Sequence, residues 1–246
     1  MPGTLYPRPY CRSLSIGALA AVLALPLAAA EPGDPFDDHG SADPFDDDSL
    51  WEPPRPETNR GALQFLSERP EQPVHHHENQ ITLAASSLDD GWVQLRQCHR
   101  DIDRVRRAQI LYNGATTRDI EIESQSNIAE SWVEGASVQL RRVEPEAELC
   151  VRARSQMLRM LDDGSYVLEN GPFMRRFLDG YYPMRVTVAI NWGDLDLSLA
   201  ETTPDAQPGF DITTSRHGVI IDTVFEGRLN TVLRFENGSR DAGTND

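Results

Sequence analysis

The sequence contains no lysine, so all 23 of its basic residues are arginine. It has only three cysteines, few aromatics (7%), and no run after residue 30 apolar enough to cross a bilayer. It carries no G-x-S-x-G, H-E-x-x-H or Cys-x-x-Cys pattern and no phosphate-cradling glycine loop. His99-Arg100-Asp101 matches the start of a kinase catalytic loop, but the downstream asparagine and the glycine-rich loop are missing. No cofactor is therefore expected. With 39 acids and a net charge of −16, the chain is poorly suited to nucleic acid or to an anionic membrane surface.

The N-terminus reads as an export signal. Arg8 and Arg12 precede the small and apolar run from Leu14 to Ala30, which ends in Ala28-Ala29-Ala30. Cleavage before Glu31 leaves a periplasmic or secreted protein with no stable membrane insertion. It removes Cys11, so Cys98 and Cys150 remain, and in an oxidising compartment they are expected to pair. Closing that loop stabilises the fold by about 4 kcal/mol in the chain-entropy model.

Residues 31–79 form an acidic, proline-rich leader. Between Glu31 and Glu78 there are 13 acids against Arg55, Arg60 and Arg69, and "DPFDD" occurs twice. Such a composition buries too little apolar area to offset the entropy of ordering, so disorder is expected. Phe36, Phe45 and Trp51 are potential anchors for a partner. His75, His76 and His77 close the leader; adjacent imidazoles are weak metal ligands without a closing set, and no specific metal site is expected.

From residue 80 to 236 the dominant period is two. Ile120 and Ile122, Val138 and Leu140, Leu149 and Val151, and Met184, Val186, Val188 and Ile190 all alternate with polar residues. This predicts an all-β, mainly antiparallel domain, an immunoglobulin-like or related β-sandwich. Residues 80–170 would form the sandwich and 183–236 an extension of it or a small second unit. A strand is expected over 92–98, an irregular charged segment over 99–107, a turn at Asn113-Gly114, a hairpin turn at Glu226-Gly227 and a disordered tail over 237–246. Asn170, Pro172 and Gly180 suit the cap, first turn and stop of a short helix over 172–179. Parity places Cys98 and Cys150 on the faces opposite Val93, Leu95, Leu149 and Val151, which predicts a surface or edge staple between neighbouring strands rather than a bridge between sheets.

Arginine clustering is the main functional signal. Arg104, Arg106 and Arg107 fall together, and Arg175, Arg176, Tyr181 and Tyr182 flank the expected helix. Guanidinium groups on a sheet face fork to carboxylates or phosphates, or pair with acids such as Glu121, Glu123, Glu146 and Glu148. The leading expectation is an exported binding module that holds a protein or an anionic envelope polymer through these residues. The alternative is an exported hydrolase with a spatially assembled acid and histidine site, for which His217 and the Asp194–Asp196 pair are the available groups.

Overall fold

The computed structural model describes residues 59–238. The expected signal, Phe36, Phe45 and Trp51, and the tail from residue 239 lie outside these. The strands are β1 (Gln64–Phe65), β2 (His76–Thr82), β3 (Trp92–Ile102), β4 (Val105–Leu111), β5 (Thr117–Glu134), β6 (Ser137–Gln156), β7 (Leu158–Met160) and β8 (Tyr166–Phe173). They continue with β9 (Arg175–Phe177), β10 (Gly180–Tyr182), β11 (Met184–Asn191), β12 (Leu197–Thr203), β13 (Phe210–Thr214), β14 (Gly218–Glu226) and β15 (Leu229–Asn237). A single helical turn, α1 (Ser87–Asp90), precedes β3.

The nine-stranded sheet runs β1–β14–β11–β2–β3–β6–β4, with β13 also on β14 and β5 also on β6. A four-stranded sheet runs β12–β15–β8–β7. Pairing is antiparallel except between β2 and β11, which are parallel. The two sheets pack face to face. Val186, Val188, Ile190 and Phe225 from the large sheet share one core with Leu168, Leu229, Leu233 and Phe235 from the small one, each no more than 2% exposed. Strands from 183–236 contribute to both sheets.

The long β5–β6 hairpin is folded double. A straight β6 would span roughly 65 Å at strand rise. Yet Tyr112 N–H donates to Ala136 O, and Gln156 N–H donates to Thr116 O. Residues 112 and 116 lie at most about 14 Å apart along the chain, so the two ends of β6 must come close together. Bulges supply the bend, which crosses the strands where β3 gives way to β4. Asn127, Arg142 and Glu146 adopt positive φ there, and Asn127 Nδ2 donates to the Pro145 and Glu146 carbonyls at 3.2 and 3.1 Å. Inside the fold Val138 and Leu140 meet Leu149 and Val151 in a second apolar cluster.

Several expectations are corrected. The boundary at residue 80 falls inside β2, and β1 lies earlier still. Arg69 helps to hold this approach through Asp222, which also takes two hydrogen bonds from Arg185. The segment expected to be irregular over 99–107 is mostly the end of β3 and the start of β4. Glu226-Gly227 does not close a hairpin: β14 and β15 belong to different sheets, and the chain crosses between them. Gly227 has φ +93°, and a Cβ there would strike the Ala62 carbonyl, so only glycine fits this crossing. Asp194 and Asp196 lie in the loop before β12 rather than on a strand face.

The helix expected over 172–179 is replaced by the end of β8 and the β9–β10 hairpin. Leu178 and Asp179 form its two-residue loop before Gly180, so Asp-Gly acts as a hairpin signal and not as a helix stop. Phe177 stacks edge-on against Tyr182, and Arg176 lies 5.7 Å over Tyr181. These cross-strand contacts outweigh a two-turn helix with little to bury.

Cys98 and Cys150 are bonded and directly opposite on neighbouring strands β3 and β6, with Cα atoms 4.1 Å apart. The bond lies within one sheet, as parity indicated. It is not at an edge, because β5 covers β6 on the other side, and Cys98 is 1% exposed.

Candidate functional site

On β2, residues 77, 79 and 81 point into the molecule, and opposite them on β3 stand His99, Gln97 and Leu95. Ile81 and Leu95 join the apolar core. The next two layers are polar. Asn79 is 2% exposed, His99 6% and Gln97 8%. A polar group withdrawn from water needs partners, and here they are mostly uncharged side chains.

Gln97 is the hub. Its Oε1 accepts from the Tyr112 hydroxyl at 2.7 Å, and its Nε2 lies 2.8 Å from His77 Nε2 and 3.2 Å from Asn79 Oδ1. Asn79 Nδ2 donates to Asn170 Oδ1 at 3.2 Å, which carries the network across to β8 in the other sheet. His77 Nε2 is also 2.9 Å from Asn79 Oδ1. One ring nitrogen carries either a proton or a lone pair, so it serves one of its two amide neighbours at a time. Among the described residues, two buried side-chain atoms have no hydrogen-bond partner, His99 Nε2 and Asn170 Nδ2.

His75 Nε2 lies 3.0 Å from His99 Nδ1, and the His77 ring packs edge-on against Phe173. Burial lowers the His75 pKa to about 4 and that of His77 to about 3, and it lowers His99 as well. His75 and His77 keep some exposed surface, but protein surrounds their rings, and all three are neutral near pH 7. Burial also raises the Tyr112 phenol, which stays protonated.

The network floors an open cleft of about 1010 Å³ between the two sheets. The floor is the inner face of β2 and β3. One wall comes from β8 and β15, including Asn170, Phe173 and Asn230, and the other from the end of β4 and the following turn, Ile110 to Asn113. Leu111, 73% exposed, and Met174, 38% exposed, mark opposite rims. Among the described residues, its only charged lining groups, Arg159 and Glu169, face each other at 3.4 Å. The site is neutral, amide-rich below and apolar at the rim.

The arginines singled out in the sequence lie elsewhere. Arg175 makes two hydrogen bonds to the Asp103 carboxylate, at 2.9 and 2.5 Å, and a third to the Pro183 carbonyl, so it ties β9 to the β3–β4 link. Tyr182 donates to Asp179, and Arg176 stacks on Tyr181. Arg104 pairs with Glu144 at 3.3 Å. Arg106 and Arg107 are exposed on β4, and Arg107 stands directly opposite Arg141. Other arginines pair with acids across the strands, Arg96 with Glu123 and Arg141 and Arg142 with Glu130. None of these residues lines the cleft.

His75, His76 and His77 do not converge, because a strand turns alternate side chains to opposite faces. His76 points outward to Thr187, 2.9 Å away. Among the described residues, no three His, Cys, Asp or Glu side chains are grouped to hold a metal. His217 Nδ1 lies 2.7 Å from the Gly193 carbonyl and 3.6 Å from the exposed Asp194, while the Ser215 hydroxyl donates to Gly218 O. The residues that build the cleft carry a sequence signal of one kind only: His77 and Asn79 share the parity of Ile81. Neither known protein families nor curated proteins match the sequence.

Proposed function

We propose that this is an exported, non-catalytic binding module of the cell envelope, and that it holds its partner in the cleft between the sheets. The observation that carries this reading is the uncharged, hydrogen-bonded floor of His77, Asn79 and Gln97, tied to Asn170 in the wall, beneath an open cleft with apolar rims. Folding gains little from burying four polar side chains at a core margin, whereas recognition uses such fixed donors and acceptors. Burial lowers the pKa of the floor histidine His77 to about 3, far from the working range of a general acid or base at neutral pH, which argues against acid–base chemistry there. An anionic polymer would meet in the cleft one arginine that Glu169 already faces, so a protein partner fits better than a polyanion.

The export signal and the disulfide support a periplasmic or secreted location. The immunoglobulin-like part of the reading rests on two facing β-sheets, and the parallel β2–β11 pair departs from that all-antiparallel pattern.

Site-directed photo-crosslinking in exporting cells tests the assignment. A photoreactive residue is placed at Asn230, in the cleft wall, and separately at Arg142, in the β5–β6 bend. A discrete adduct from position 230 and none from 142 is the expected result. No adduct at 230, or an adduct at 142 alone, would overturn the cleft as the binding site.

A further inference from the structure

The walls of the cleft have a property that a small-molecule pocket does not need: both are strand edges. β4 is bonded to β6 on one side, and among the described residues it has no strand on the other. β8 is bonded to β15 along its length, but β7 covers its opposite edge only from Tyr166 to Leu168. From Glu169 to Phe173 that second edge is bare of strand partners among the described residues. Consecutive residues of both bare-edged strands line the same cleft, Ile110 and Leu111 of β4 on one wall and Glu169 to Phe173 of β8 on the other.

We infer that the occupant of this cleft is an extended peptide segment of a partner protein, neutral in charge and with apolar side chains at alternate positions. It adds as a strand beside Glu169–Phe173 of β8. This rests on the cleft reading above and specifies its ligand. The match is chemical. A strand edge offers backbone donors and acceptors in alternation, and another polypeptide backbone satisfies that series along its length.

Alternation also sorts the side chains of an added strand. One set would turn down to the amide floor of Asn79 and Gln97. Apolar side chains on the segment would cover Leu111 and Met174, the exposed rims.

Part of the β4 edge is guarded. Arg104 just before β4, and Arg106 and Arg107 at its start, carry the kind of charge that discourages strand pairing. Its far end, Gln109 to Leu111, is uncharged. Pro172, which has no N–H to offer, stands one residue before the end of β8, so the pairing is limited to a few residues around it. The site therefore fits a short segment, on the order of five residues at strand spacing.

The test uses the intact chain and a pool of random octapeptides blocked at both ends. Peptides retained by the protein are identified by mass spectrometry, and the best binder is remade twice, N-methylated at odd or at even backbone amides. One methylation phase is expected to raise Kd at least tenfold while the other changes it less than threefold. Amide hydrogen exchange is expected to slow at least tenfold in the complex at alternate residues of Glu169–Phe173, those whose N–H points away from β15. Leu111→Glu, at an exposed rim position, is expected to weaken binding without changing the melting temperature.

Equal sensitivity to both phases, or no added protection over 169–173, overturns strand addition. Failure to select any peptide does the same. If the adduct at position 230 persists in those cases, the cleft still binds a ligand of another kind. If the adduct is also absent, both readings fall together.

Discussion

Histidine ordinarily titrates just below neutrality, and three histidines here are held neutral on one sheet face. In the unfolded chain His75, His77 and His99 take up protons near their ordinary pKa of 6.5, whereas in the fold burial holds them well below it. Asp103 and Asp101 pull His75 upward and Arg175 and His76 push it down, but desolvation is the largest influence. Below about pH 6.5 the unfolded chain therefore binds more protons than the folded one. Stability is intact above that pH and falls as the pH drops towards 4. Between pH 7.5 and 5.5 the loss is on the order of 1 kcal/mol per ring, with solvent screening trimming the shares of His75 and His77. Urea midpoints at those two pH values measure it, and His75→Gln is expected to reduce the difference. A midpoint that does not move would show that the rings are solvated. Nothing in the composition announces this behaviour: three histidines after a proline-rich stretch resemble the end of a linker, and only their register against Ile81 turns two of them inward.

The β5–β6 hairpin shows what alternation reveals and what it conceals. Ile120, Ile122, Val138, Leu140, Leu149 and Val151 identify strands correctly, because a half-buried strand needs that period. The same period is silent about a bend, which depends on the backbone conformation of Asn127, Arg142 and Glu146. Asn127 is the testable member of that set. Asn127→Ala removes two side-chain bonds to the carbonyls of 145 and 146 and forces a Cβ-bearing residue without a local partner into positive φ. A loss of about 1–3 kcal/mol is expected, read from chemical denaturation. Asn127→Gly keeps the backbone accessible and loses only the bonds, so its cost is expected to be smaller. The β9–β10 hairpin is hidden from the sequence for a related reason: caps and stops are local signals, while the ion pair from Arg175 to Asp103 joins positions 72 residues apart.

Across the molecule, the crossing at Gly227 joins the two sheets while the backbone of Ala62 and Leu63 presses against it. Gly227→Ala must either move the segment leading into β1 or distort the turn, and its φ is unfavourable to any L side chain. A fall in melting temperature of several degrees is expected, together with faster proteolysis before residue 66, since β1 loses its seat on β14. An unchanged melting temperature would mean that β1 contributes little.

The parallel seam between β2 and β11 sets an order of events. His76 pairs with Arg185, and Gln64 pairs with Glu226. A chain emerging from its N-terminus holds β2 ready long before β11 exists, so the middle of the large sheet stays open until most of the molecule has been made. Such distant partners make folding slow, and they expose the histidine-bearing strand to other chains meanwhile. Chaperoning of the nascent chain would matter most in that interval.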